Sequence, residues 1–217
     1  MEKNKSSPKD LELLGGRLCL DFINTVDWRG REKPVEFLNE YKSFVAWGQH
    51  VKMFAKSEVL LLLRLALDSP KKAERVLRDA VELRETLYRL FSSTINSKLP
   101  QQEDIDLFNK HLSRTMARSK IVREKSNFIL DSTGPKEELD RILNPIIRSA
   151  SDLLTSPQDL KRVKTCADDE CGWLFLDHSR NQSRRWCDMK DCGNRAKVSQ
   201  YYLRKKLTRQ SESSDRV

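Results

Sequence analysis

Apolar residues recur along most of this chain with a helical period, separated by short polar breaks. Over 70–97, Ala73, Val76, Leu77, Ala80, Leu83, Leu87, Leu90 and Phe91 fall on one stripe, which predicts a long amphipathic helix. Ser69-Pro70 places an N-cap residue and a proline at its first turn, and Glu74–Arg78 and Glu85–Arg89 are spaced to pair along it. Shorter helical patterns occupy 39–50, with Tyr41, Phe44 and Val45 on one side, then 57–67 and 100–116. Two stretches depart from this period. Leu18, Leu20 and Phe22 alternate with Cys19 and Asp21 after Gly15-Gly16, which predicts a short strand. Residues 119–122 and 127–131 are apolar around a polar centre at 123–126, which predicts a β-hairpin closed by a turn at 132–135. A last helix is expected over 136–155, with a kink at Asn144-Pro145.

The first ten residues are polar and read as disordered. From 11 to about 155 the pattern is that of a predominantly helical α+β domain with a short N-terminal strand and a hairpin. Beyond Ser156-Pro157 it changes to a small module over 160–210. At 217 residues the chain can hold one large domain and one small one.

Charge sharpens that division. The chain carries a net +9. Residues 160–210 hold thirteen basic and six acidic residues, a net +7. The acids lie near the cysteines, and nothing acidic occurs from 193 to 210. A concentrated positive field favours an acidic partner such as nucleic acid. Residues 59–67, interrupted by Arg64, are too short to span a bilayer of about 30 Å. No apolar signal segment opens the chain, so a cytoplasmic protein without membrane association is expected.

Four of the five cysteines form two pairs, Cys166-x4-Cys171 and Cys187-x4-Cys192, separated by fifteen residues. Four thiolates at that spacing can close round one tetrahedral Zn²⁺, with bonds of about 2.3 Å. A closed site leaves no position for substrate, so one structural zinc per chain is expected. The alternative, a disulfide framework, belongs to secreted chains. His178 lies between the pairs but four cysteines already complete the site. Trp173-Leu174-Phe175-Leu176-Asp177 is strand-like, and a basic helix should open after Cys192. Trp173 and Trp186 read as the core of this finger. Of Tyr201 and Tyr202, one should pack inward.

The run Arg185-Trp186-Cys187-Asp188-Met189-Lys190-Asp191-Cys192-Gly193-Asn194-Arg195-Ala196-Lys197 resembles the signature of CGNR zinc-finger proteins. The segment from Gly16 to Thr25 resembles the start of the ABATE domain that accompanies this finger in bacteria. The resemblance implies a bacterial transcription regulator linked to stress responses. With the basic helix, it points to duplex DNA as partner, contacted by Arg184, Arg185, Arg195, Lys197, Arg204, Lys205 and Lys206. The other reading is an RNA-binding or protein-interaction finger without sequence-specific DNA recognition.

The larger domain offers one polar cluster in an apolar segment, Arg17, Asp21 and Asn24, as a candidate pocket for a small-molecule effector; local capping is the simpler reading of Asp21 and Asn24. Cys19, among apolar neighbours, reads as a buried small hydrophobe. No Gly-rich phosphate loop, nucleophile elbow or His-Glu-x-x-His motif is present, so an enzyme is not expected. The size of this domain suggests sensing, homodimerisation through its helices, or both.

Overall fold

The computed structural model describes residues 7–132 and 138–214, with side chains at all of these except 132, 203 and 206–214. Helices dominate. In chain order they are α1 (Leu18–Ile23), α2 (Tyr41–His50), α3 (Lys56–Asp68), α4 (Pro70–Ile95), α5 (Gln102–Ala117), α6 (Asn144–Leu154), α7 (Pro157–Leu160) and α8 (Asn194–Ser214). Three antiparallel two-stranded ribbons lie between them. β1 (Val26–Asp27) pairs with β2 (Val35–Glu36), β3 (Ser119–Glu124) with β4 (Asn127–Ser132), and β5 (Val163–Thr165) with β6 (Leu174–Leu176).

α4 is the spine. Of its predicted stripe, Ala73, Val76, Ala80, Leu83, Leu87, Leu90 and Phe91 are buried. Against it pack α1, α2, α3 and α5, and Phe22, Phe44 and Trp47 form an aromatic cluster with ring centroids 5.5–6.1 Å apart. Glu74 and Arg78 pair as expected, at 2.8 Å. Glu85 does not pair with Arg89. It takes Arg29 and Arg84, whereas Arg89 turns to Asp104. Arg84 is itself only 2% exposed, and Glu36, Glu85 and Thr25 satisfy its guanidinium.

Three expectations are corrected. Residues 18–23 are helical, because Cys19, Leu20, Phe22 and Ile23 are all buried; a surface strand would bury only one alternating set. Ser7 to Asp10 is not disordered: Pro8–Asp10 is a 3₁₀ turn with a capping box from Ser7, and Pro8 is buried. The helix expected over 136–155 is divided. Leu139–Leu143 is 3₁₀ and the α-helix starts only at Asn144, with Pro145 in its first turn. Its expected start at 136, and the turn at 133–135, lie outside the described residues.

The C-terminal module shares its core with the helices. Trp173, Leu174, Phe175, Leu176 and the four paired cysteines belong to one continuous buried cluster with α1, α4 and α6. β6 finds its partner upstream of the first cysteine, in β5, and not in the residues returning to Cys187. Among the described residues no helix is long and apolar enough to cross a membrane.

Candidate zinc centre and nucleic-acid interface

The loop that joins β5 to β6 carries the first cysteine pair. Cys166 follows β5 and its N–H donates to the Trp173 carbonyl at 2.8 Å. Cys171 closes a turn on Asp168, and Gly172, at φ +69°, lets the chain reverse into β6. The second pair arrives from the loop after β6. Buried Asp177 shapes that loop: it accepts from Lys164 Nζ at 2.7 Å, from the Ser179 N–H and hydroxyl, and from the Arg184 N–H. Burial pushes the Asp177 carboxyl up, but these donors outweigh it and hold its pKa below the usual carboxylate range. Ala167 then donates to the Arg185 carbonyl, bringing Cys187 alongside Cys166. Cys192 sits in a π turn, Met189–Gly193, capped by Asp188 and leading directly into α8.

All four sulfurs are buried, unoxidised and within 4.8 Å of one another. Cys187 Sγ lies 3.6 Å from Cys171 Sγ and 3.5 Å from Cys192 Sγ. A ZnS₄ tetrahedron with bonds of about 2.3 Å has edges of about 3.8 Å, so the cluster fits that ion. Without a cation the thiols cannot ionise together. Each thiolate formed among such close, buried sulfurs disfavours the next. The backbone N–H of Cys187 donates to Cys166 Sγ, and Arg195 Nη2 donates to Cys192 Sγ at 3.1 Å. Both offset negative charge on the sulfurs.

The larger domain grips this centre through residues 24–31. Asn24 is buried and exchanges two hydrogen bonds with the backbone of Leu174, at 2.8 and 2.9 Å. Trp173 Nε1 donates to the Val26 carbonyl. Arg29 and Gly30 donate to the carbonyls of Cys171 and Glu170. At Gly30 a Cβ would lie 1.9 Å from the Asp169 carbonyl oxygen, so only glycine fits. Trp28 takes φ +57°, a conformation costly for a bulky residue. Arg31 and Arg195 both lie over its ring, at 3.4 and 4.3 Å from the ring centroid.

Of the seven basic residues expected at nucleic acid, two serve the finger itself. Arg184 donates to the carbonyls of Trp186 and Cys187 and lies over Phe175. Arg195 bonds Asp168, Asp191 and Cys192 Sγ. Burial pulls the Arg195 pKa down, yet the Asp168 carboxylate more than restores it, so the guanidinium stays charged. Arg185, Lys197, Arg204 and Lys205 are exposed; the Lys206 side chain lies outside the described ones. Tyr201 and Tyr202 are 61% and 65% exposed and meet edge to face, so neither packs inward. Trp186 packs beside the second cysteine pair, near Gly193, whereas Trp173 belongs as much to the larger domain as to the finger.

Arg17, Asp21 and Asn24 do not converge on one pocket. Arg17 pairs with Asp159 and borders a cleft of about 490 Å³ lined also by Arg148, Ser149 and Asp152. Asp21 accepts the Gly15 N–H at 2.8 Å, and Asn24 faces the finger. Burial raises the Asp21 carboxyl to about 6, against the opposing effects of Gly15 and His50. A carboxyl whose folded pKa exceeds its unfolded value of about 3.9 weakens the fold when ionised. Its penalty is therefore full above pH 6 and relieved as pH falls from about 6 to about 4. Asp21→Asn keeps an acceptor for Gly15. Thermal unfolding of the variant should show a higher Tm than wild type at pH 7, with the gap closing by pH 4. A gap independent of pH would refute this account. Cys19, likewise buried, has its thiol pushed up to about 12 and is unreactive.

The architecture is thus a helical domain fused through a shared core to a four-cysteine, potential zinc-binding centre that leads into a basic helix. Residues 16–157 match the ABATE family, described as "Putative stress-induced transcription regulator", and residues 162–205 match the CGNR zinc finger. The chain belongs to the ABATE family and carries a C-terminal CGNR zinc finger. Neither description names an enzymatic activity. No curated protein matches the sequence.

Proposed function

We propose that this chain is a zinc-dependent, DNA-binding transcription regulator of the cytoplasm. In this reading residues 160–210 form the DNA-binding finger, and residues 11–155 sense a signal and bring two copies together. Cys166, Cys171, Cys187 and Cys192 hold one structural Zn²⁺. The metal offsets two of the four thiolate charges and fixes the direction in which α8 leaves the finger.

The observation that carries this reading is α8 itself. It spans 21 residues, about 31 Å at 1.5 Å per residue. Its N-terminus is rooted on Cys192, and Lys197, Val198, Tyr201, Tyr202, Arg204 and Lys205 are exposed along it. A long basic helix with an uncovered face suits a groove lined by phosphates. Arg185, Lys197, Arg204, Lys205 and Lys206 are the residues we assign to DNA, whereas Arg184 and Arg195 act by holding the finger. One finger has a small footprint, so an operator of useful length takes two copies. An effector would enter the cleft beside Arg17. The exposed Tyr201–Tyr202 pair favours the second reading, single-stranded RNA, because unpaired bases stack on aromatic faces.

Fluorescence anisotropy of the zinc-loaded chain on duplex DNA and on single-stranded RNA, across a salt series, separates the two. Duplex should bind more tightly. Replacing Arg204, Lys205 and Lys206 with Ala should weaken binding to every duplex and flatten the log–log salt slope by about 0.9 per lost phosphate contact. An unchanged slope would remove these residues from the interface, and preference for single strands would favour RNA.

A further inference from the structure

We propose that the β3–β4 ribbon is a dimerisation strand: the outer edge of β3 pairs antiparallel with β3 of a second copy, giving a four-stranded sheet across a two-fold axis. A lone two-stranded ribbon is marginal in water, and this one is exposed over most of its length. Ile121 is 65% and Phe128 74% exposed, with Ile129 and Leu130 partly so.

The direction of the backbone groups follows from the register. Glu124 and Asn127 flank a two-residue turn, with Lys125 at φ +54°, and such flanking residues exchange backbone bonds. By alternation Val122/Ile129 and Lys120/Asp131 do the same, which leaves the N–H and C=O of Ile121 and Arg123 on the outer edge of β3. On β4 the same alternation turns the Leu130 carbonyl outward, and there it already accepts Arg148 Nη1. Among the described residues, no backbone group pairs with the outer edge of β3.

That edge is self-complementary. With Val122 opposite Val122 of the second copy, Ile121 and Arg123 fall opposite each other as a bonding pair, and Lys120 falls opposite Glu124. The two-fold axis makes both contacts twice. β4 lacks this symmetry, since Asn127 and Asp131 flank its centre. The charge pattern therefore selects a second copy of this chain as the occupant and β3 as the strand. The pairing deepens the reading above, in which residues 11–155 bring two copies together; it requires neither DNA nor zinc chemistry, so its failure would leave the DNA-binding finger untouched.

The test is sedimentation equilibrium of the full zinc-loaded chain, without nucleic acid, up to high micromolar concentration. A short edge contact should give a weak, concentration-dependent dimer. Lys120→Glu places Glu against Glu124 twice and should weaken dimerisation about tenfold, since an attractive cross-strand pair turns repulsive at both of its copies. Adding Glu124→Lys to it should restore the dimer, which a folding defect would not allow. Val122→Cys should cross-link across the axis under mild oxidation, whereas Ile129→Cys and wild type should not. A strictly monomeric wild type, a dimer indifferent to Lys120→Glu, or cross-linking through Ile129→Cys alone would each overturn the proposal.

Discussion

Cys187→Ser should destabilise the whole chain and not merely release its C-terminal segment. Structural zinc in small fingers contributes an apparent 10–16 kcal/mol, comparable with the full stability of a domain, about 5–15 kcal/mol. In an isolated finger that loss would stay local. Here the cysteines share one buried cluster with α1, α4 and α6. Residues 24–31 hydrogen-bond the backbone at Glu170 and Cys171 through Gly30 and Arg29, and at Leu174 through the Asn24 side chain. Losing the metal therefore uncovers Trp173, Asn24 and the β1 end of the larger domain. Calorimetry should show one cooperative transition in wild type, with its midpoint lowered by about 10 °C or more in the variant, taking 2–4 °C per kcal/mol for a chain of this size. Chelation of wild type should reproduce the shift. Two separate transitions, the upper one unchanged, would show that the larger domain stands alone.

Asn24→Leu should have the next largest effect. The substitution keeps the volume but strands the N–H and the carbonyl of Leu174, both of which Asn24 satisfies inside the core. Each buried orphan costs about 1–3 kcal/mol, so a loss of about 4 kcal/mol is expected. Asn24→Asp should be no better, because it loses the donor and buries a charge. Zinc affinity provides the second readout. β6 is held against α1 by this pair, so the variant should also release zinc faster to a chromogenic chelator. Wild-type stability in Asn24→Leu would show that the finger does not depend on this contact.

What could be read from the sequence was what is local. The stripe on α4 needs only a helical period, and the cysteine pairs need only their spacing. Both survive in the structure as drawn from the residues alone. The hairpin at 119–132 is also local, since its turn and its two apolar runs are adjacent. The misreadings came where a residue's role is set from far away. Leu18, Leu20 and Phe22 alternate like a strand, but the segment is enclosed by α4 and α6, so Cys19 and Ile23 are buried too and a helix results. Asn24 stood out as polar in an apolar segment, yet nothing nearby reveals that its partner is Leu174. Arg184 and Arg195 look like their basic neighbours until the structure shows which carbonyls, carboxylates and sulfur they hold. Gly30 gave no signal at all; its need for a bare Cα arises only from the approach of Asp169.

The Asn24–Leu174 bond also constrains how the chain is made. Its partners are separated by 150 residues, so a chain emerging from the ribosome displays Asn24 long before Leu174 exists. At roughly 5–20 residues per second that interval lasts on the order of ten to thirty seconds. During it, the slot for Trp173 and the apolar flank of α1 stay uncovered, and closure waits until residues 173 and 174 have been synthesised. The finger thus acts as the closing piece of co-translational folding, and truncation before residue 174 would leave a nascent chain with an open core for chaperones and proteases to find.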